Sequence, residues 1–145
     1  MKKSDIEAYV RMCHGFDTWD DSLKDRFARL GKAVGKEIFR QLGVEGRVSF
    51  NRAGPAVCGD VNGYSEDLYF DLSPSCTGDW WYFRGCRRMG DCGAGLEFGN
   101  QISQCSDLLT LAEPDGRLIQ RMRQHREHIL VRKHTRESIT VGGEP

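Results

Sequence analysis

Hydrophobic positions recur every three or four residues from Asp21 to Leu42: Leu23, Phe27, Leu30, Val34, Ile38 and Leu42. Side chains at that spacing share one helical face, so the stretch predicts a long amphipathic helix whose stripe must be covered. Gly31 and Gly35 lie on the adjoining side. Each costs a helix roughly 1 kcal/mol relative to Ala, and a close backbone approach by another element is the expected motive. Gly43 is the expected stop. A shorter helix is predicted to start at Ser4-Asp5-Ile6-Glu7, which has the form of a capping box. Ile6, Tyr9, Val10 and Cys13 then share its inner face, with Gly15 to end it.

Downstream the period falls to two. Val48 and Phe50 alternate with polar neighbours and predict a first strand; Ala56-Val57-Cys58 starts a second, left irregular by Gly59-Asp60-Val61-Asn62-Gly63. Leu68, Phe70 and Leu72 alternate with Asp67, Tyr69 and Asp71, as in a strand with one dry and one wet face. Trp81 and Phe83 alternate with Trp80, Tyr82 and Arg84, and Leu96 with Phe98 suggests a short fifth strand. Ile102, Cys105, Leu108, Leu109 and Ala112 then read as a brief helix. Asp115-Gly116 opens a last one, with Leu118, Ile119, Met122 and Ile129 inward and Arg117, Arg121 and Arg123 largely outward. The expected fold is α+β: N-terminal helices, a four- to five-stranded antiparallel sheet and a basic C-terminal helix. The long helix should cross a sheet face made by Val48, Phe50, Leu68, Phe70, Leu72 and either Trp81 or Phe83. One domain is expected over residues 1–130, with 131–145 as a loosely docked or frayed tail.

Composition bounds the function. The chain has 145 residues, with 21 Lys and Arg against 21 Asp and Glu, so no global field draws it to nucleic acid or to an acidic membrane. The zero hides an asymmetry. Residues 117–136 hold seven cations and one acid, Glu127, and the −4 of residues 1–116 makes an acidic body with a basic arm. Met1-Lys2-Lys3-Ser4-Asp5 lacks the apolar run of a signal peptide, and no apolar stretch approaches the ~20 residues that cross a bilayer. Six cysteines without an export signal favour reduced thiols, and a cytoplasmic location is expected.

The reactive residues form no diagnostic motif. Zinc sites usually present cysteines two to four residues apart, whereas Cys76, Cys86, Cys92 and Cys105 are separated by longer gaps. Cys86, Cys92, Cys105 and a histidine could still converge in space. His125 and His128 are helical neighbours in Arg-rich sequence, which disfavours cation capture. Cys13 and His14 are adjacent, and on a helix their side chains point about 100° apart, a poor dyad geometry. Cys58 beside Asp60, or Cys92 beside Asp91, would need a distant histidine. The Gly90 to Gly95 turn lacks the Lys-Ser/Thr ending of a phosphate-binding loop. No catalytic residue, metal ligand or cofactor is assigned.

Surfaces are the better lead. Trp80 and Tyr82, followed by Arg84, Arg87 and Arg88, offer an aromatic and basic patch for a partner. Arg121, Arg123, Arg126, Arg132 and Lys133 offer an alternative, a basic arm able to track a phosphate backbone. The segments Val57-Cys58-Gly59-Asp60-Val61, Leu68-Tyr69-Phe70 and Trp81-Tyr82-Phe83-Arg84-Gly85-Cys86-Arg87-Arg88-Met89-Gly90-Asp91 cover about a third of the chain. They resemble small uncharacterised proteins of phages and mobile elements. The resemblance implies a strand–strand–basic-turn unit and a mobile-element setting, where such accessory proteins act by stoichiometric binding to host or defence machinery. The expectation is therefore a non-enzymatic protein-binding accessory protein, such as a phage-encoded inhibitor of the anti-CRISPR kind. Nucleic-acid binding through the arm is the alternative, and a Cys/His-dependent or zinc-containing enzyme the second.

Overall fold

The computed structural model describes residues 1–14, 20–52, 59–74, 80–86 and 101–128; for 74, 80–86 and 101–103 the description is of the backbone. Helix α1 (Lys3–Cys13) and helix α2 (Asp21–Leu42) precede strands β1 (Arg47–Arg52), β2 (Gly59–Tyr64), β3 (Tyr69–Pro74), β4 (Trp80–Cys86) and β5 (Gln101–Gln104). Helix α3 (Cys105–Leu109) and a 3-10 turn (Thr110–Ala112) follow, and residues 117–128 form helix α4. The α+β class with an antiparallel sheet is what the chain adopts. Each strand pairs antiparallel with the next in chain order.

Helix α2 has the predicted limits because both ends are capped by the residues that bound it. The Asp20 carboxylate accepts from the Leu23 amide at 3.0 Å, and Gly43 takes the left-handed conformation, φ 69°, that closes a helix. Phe27, Val34 and Ile38 are buried, while Leu30 and Leu42 pack at the margin of the core. Leu23 departs from the expected stripe: one turn from the helix start, it is 37% exposed.

The two helix glycines face the sheet. A Cβ on Gly31 would lie 2.7 Å from the Phe50 ring, and one on Gly35 2.7 Å from Val48 and 2.9 Å from Val61. Glycine thus lets α2 lie directly on β1 and β2, recovering in apolar contact what it forfeits in helix propensity. Val61, at the centre of that contact, is fully buried.

Four expectations are corrected. Helix α1 begins at Lys3 with Lys2 as its N-cap and no side-chain cap bond; the Lys2 carbonyl takes the Asp5 and Ile6 amides instead, at 3.0 and 3.3 Å, so Ser4 and Glu7 form no capping box. The irregular stretch after Cys58 is the regular strand β2, because the six-residue register with β1 runs from Gly59 to Tyr64. Ile102 belongs to β5, where it pairs with Tyr82, and the helix starts after it at Cys105. Tyr69, assigned to the wet face, is 9% exposed, since its hydroxyl and ring are both engaged by β2. Gly15, Ala56 to Cys58, Leu96, Phe98, Ile129 and the proposed tail lie outside the described residues.

One apolar cluster joins the N-terminal helix to α4. Ile6, Tyr9 and Cys13 of α1 meet Phe27, Val34 and Ile38 of α2, Phe70 and Leu72 of β3, Leu108 and Leu111, and Leu118, Ile119 and Met122 of α4. Tyr9 stacks on Phe27 with centroids 4.9 Å apart, and Phe27 meets Phe50 edge-on at 5.5 Å. Among the described residues no helix is long and apolar enough to cross a membrane.

Candidate functional site

Antiparallel register sorts the aromatic strand β4 into two sets. Phe83 is the partner of Leu72, which is buried against the helices. Tyr82 is the partner of Ser73 and Arg84 that of Asp71, while Trp80 pairs with Gln104 of β5. Trp80, Tyr82 and Arg84 therefore hold alternate positions, Tyr82 and Arg84 in register with polar Ser73 and Asp71 of β3 and Trp80 with Gln104 of β5. The sequence grouping of these three is the grouping that the backbone makes. Arg87 and Arg88 lie outside the described residues.

The neighbouring strands build a rigid support for that set. The Tyr69 hydroxyl donates to Asn62 Oδ1 at 2.8 Å in a buried bond, and Asn62 Nδ2 donates to Asp60 Oδ2 at 3.2 Å. Ser73 Oγ donates to Asp71 Oδ1 at 3.0 Å. At one end the Tyr64 and Tyr69 rings lie 5.2 Å apart, and the Arg47 guanidinium sits 4.3 Å from the Tyr64 ring centre. Asn62 is only 6% exposed, so its amide is held by these bonds and not by solvent. This face carries fixed donors, acceptors and ring edges, with Asp60 and Asp71 among its polar positions.

The alternative basic arm is partly spent within the fold. Asp107 is 6% exposed and pairs with both Arg117 and Arg121, the latter at 3.4 Å. It also accepts the Gln104 amide at 3.2 Å, capping α3. Arg123 pairs with Asp115 and donates to the Gln41 carbonyl at 3.0 Å. Burial first, then the charges of Arg121 and His128, hold His125 below its ordinary value, which keeps it from adding charge to the arm at neutral pH. Arg126 is half-buried on α4, and Arg132 and Lys133 lie outside the described residues.

The reactive groups scatter. Cys13 is a buried free thiol, with buried Cys105 near it. Burial first, and then the nearness of Cys105, pushes the Cys13 thiol far up, which makes it a poor nucleophile; His14 beside it is exposed. Cys58, Cys76 and Cys92 lie outside the described residues, as does the Gly90 to Gly95 turn. Among the described residues no three His, Cys, Asp or Glu side chains gather to hold a metal ion.

Sequence reasoning missed two features. One is a cleft of about 390 Å³ between the end of α2 and the 3-10 turn, lined in part by Glu37, Arg40, Gln41 and Arg123. Its polar groups answer one another: Glu37 binds Arg40 and the Met1 ammonium, and the Gln41 amide donates to the Leu111 carbonyl at 2.7 Å. The other is the charge on the solvent side of α2, legible as cations spaced three and four apart opposite the apolar stripe. The chain matches no protein-family model, no curated protein and no solved structure.

Proposed function

We propose that the protein is a non-enzymatic binding protein that docks a protein partner through the sheet around β4, using Trp80, Tyr82 and Arg84 with Arg87 and Arg88, which follow the strand in sequence. The observation that carries this reading is the register: two aromatic positions and a cation alternate beside the hydrogen-bonded support of Asp60, Asn62, Tyr69, Asp71 and Ser73. Aromatic and Arg side chains on a pre-formed support are the usual anchors of protein interfaces. The interleaved carboxylates favour a protein partner over a polyanion at this face. The resemblance of the middle third to phage and mobile-element accessory proteins points to a target in a host or antiviral defence complex, with inhibition of the anti-CRISPR kind as the finer form of the reading. The inert, buried Cys13 thiol weighs against the thiol-enzyme alternative.

The test is capture from host lysate on immobilised protein, with mass identification of what is retained. The Arg84→Glu/Arg87→Glu/Arg88→Glu variant should lose the retained partner while melting as the parent does. Equal capture by parent and variant would refute the reading.

A further inference from the structure

We propose that the solvent face of α2 is a second binding surface, one that takes the phosphate backbone of a nucleic acid. Arg26, Arg29, Lys32, Lys36 and Arg40 are all exposed. The last four recur at three and four residues, which puts them on one stripe opposite Phe27, Val34 and Ile38. From Arg26 to Arg40 the ridge runs about 20 Å at the rise of an α-helix, long enough to meet several successive phosphates of one strand.

The acids nearby do not cancel it. Asp21 and Asp25 stand at the helix start, and Asp25 is taken by Arg52 at 2.6 Å. Glu37 is buried and bound to Arg40, whose side chain stays 70% exposed. Asp5 of α1 lines a shallow groove with Lys36 and Arg40. Arg26, Arg29, Lys32 and Lys36 make no ion pair among the described residues. On α4, by contrast, Arg117, Arg121 and Arg123 are tied to Asp107 and Asp115. Of α2 and α4, α2 therefore offers the longer row of exposed cations without an ion pair among the described residues, on the helix that the apolar pattern marks as core.

The composition of the ridge selects among polyanions. Protein interfaces are built round aromatic or aliphatic centres depleted of charge, and between Arg26 and Arg40 the outward residues are cations with Ala33 among them. A bilayer surface would be met with apolar side chains flanking the cations, and Leu23, at the far end of the helix, is the exposed large apolar residue of α2. A row of cations with no apolar centre fits phosphate contacts that position without reading bases.

The experiment is fluorescence anisotropy of the full chain with a labelled duplex of about 20 base pairs and arbitrary sequence. Four phosphate contacts predict roughly 100-fold weaker binding between about 50 and about 200 mM salt. The Arg29→Gln/Lys32→Gln/Lys36→Gln variant, altered only at exposed positions, should bind much more weakly and lose most of that salt dependence. Lys32→Arg/Lys36→Arg should retain both. Four results would each overturn the proposal: no binding by the parent at the lower salt, unchanged binding by the triple Gln variant, loss of binding in Arg132→Gln/Lys133→Gln alone, or displacement of the duplex by poly-glutamate as readily as by unlabelled duplex.

Discussion

Gly35 lies against Val61 so closely that a single added methyl group would come within 2.9 Å of the valine and 2.7 Å of Val48. Val61 is fully buried and β-branched, so it has little room to turn aside. Gly35→Ala gains roughly 1 kcal/mol of helix propensity but overpacks the contact at a cost of about 1–3 kcal/mol. We expect net destabilisation. Gly31→Ala should cost less, since its neighbour Phe50 is only partly buried. Urea unfolding midpoints of the two variants check the order.

Tyr69→Phe removes the donor that satisfies Asn62 Oδ1 inside the protein. A buried acceptor left unmatched costs about 1–3 kcal/mol, a loss visible in thermal melting. The same variant should also weaken capture of a β4 partner if the support under that strand sets its geometry.

Asp107→Ala leaves Arg117 and Arg121 without their shared carboxylate and α3 without its cap. Both guanidiniums are substantially exposed and water rehydrates them, so the loss should be about 1–2 kcal/mol and not the larger cost of an orphaned buried ion. Circular dichroism should show reduced helix content, because the start of α4 loses its tie.

Below neutrality Glu37 and His125 give stability a pH profile, with Asp20, held down by the Leu23 amide, adding to the acid side. Burial alone would push the Glu37 carboxyl up, but the hydrogen bonds and charges of Arg40 and the Met1 ammonium outweigh it and hold the group below its ordinary 4.5. A depressed carboxyl stabilises the fold fully above its unfolded value, and that contribution disappears as pH falls through the folded one. His125 is depressed too, chiefly by burial; it resists protonation in the fold, so stability should already decline as pH drops below 6.5. Denaturation midpoints measured down the pH scale should fall in two stages. Glu37→Gln should shrink the acid stage, leaving the part due to Asp20, and His125→Gln should remove the one near neutrality.

The sequence made α2 legible to the residue, because Asp20, Gly43 and a 3.6-residue apolar period are local signals. The alternation of Leu68, Phe70 and Leu72 was equally readable. Strand β2 was not: Asp60, Asn62 and Gly63 have poor strand character, and what holds them extended is pairing on both sides and the approach of the α2 glycines. Tyr69 misled for a similar reason, its polar end being satisfied by a residue seven positions earlier. At the candidate site the grouping of Trp80, Tyr82 and Arg84 could be read from period two, but the Asn62 support could not. The charges of the last helix are visible as a run; their partners Asp107 and Asp115 are not identifiable as such, and the ridge on α2 is hidden behind the stronger apolar period of its other face.

Arg123 reaches back to the Gln41 carbonyl, and Ile6 shares its burial with Met122. Synthesis on a ribosome proceeds from the first of these residues to the last, so the early helices must wait in an unfinished state until position 123 has cleared the exit tunnel. Their oily stripes are meanwhile open to chaperones, and premature stops upstream of that point should yield products that are degraded instead of folded.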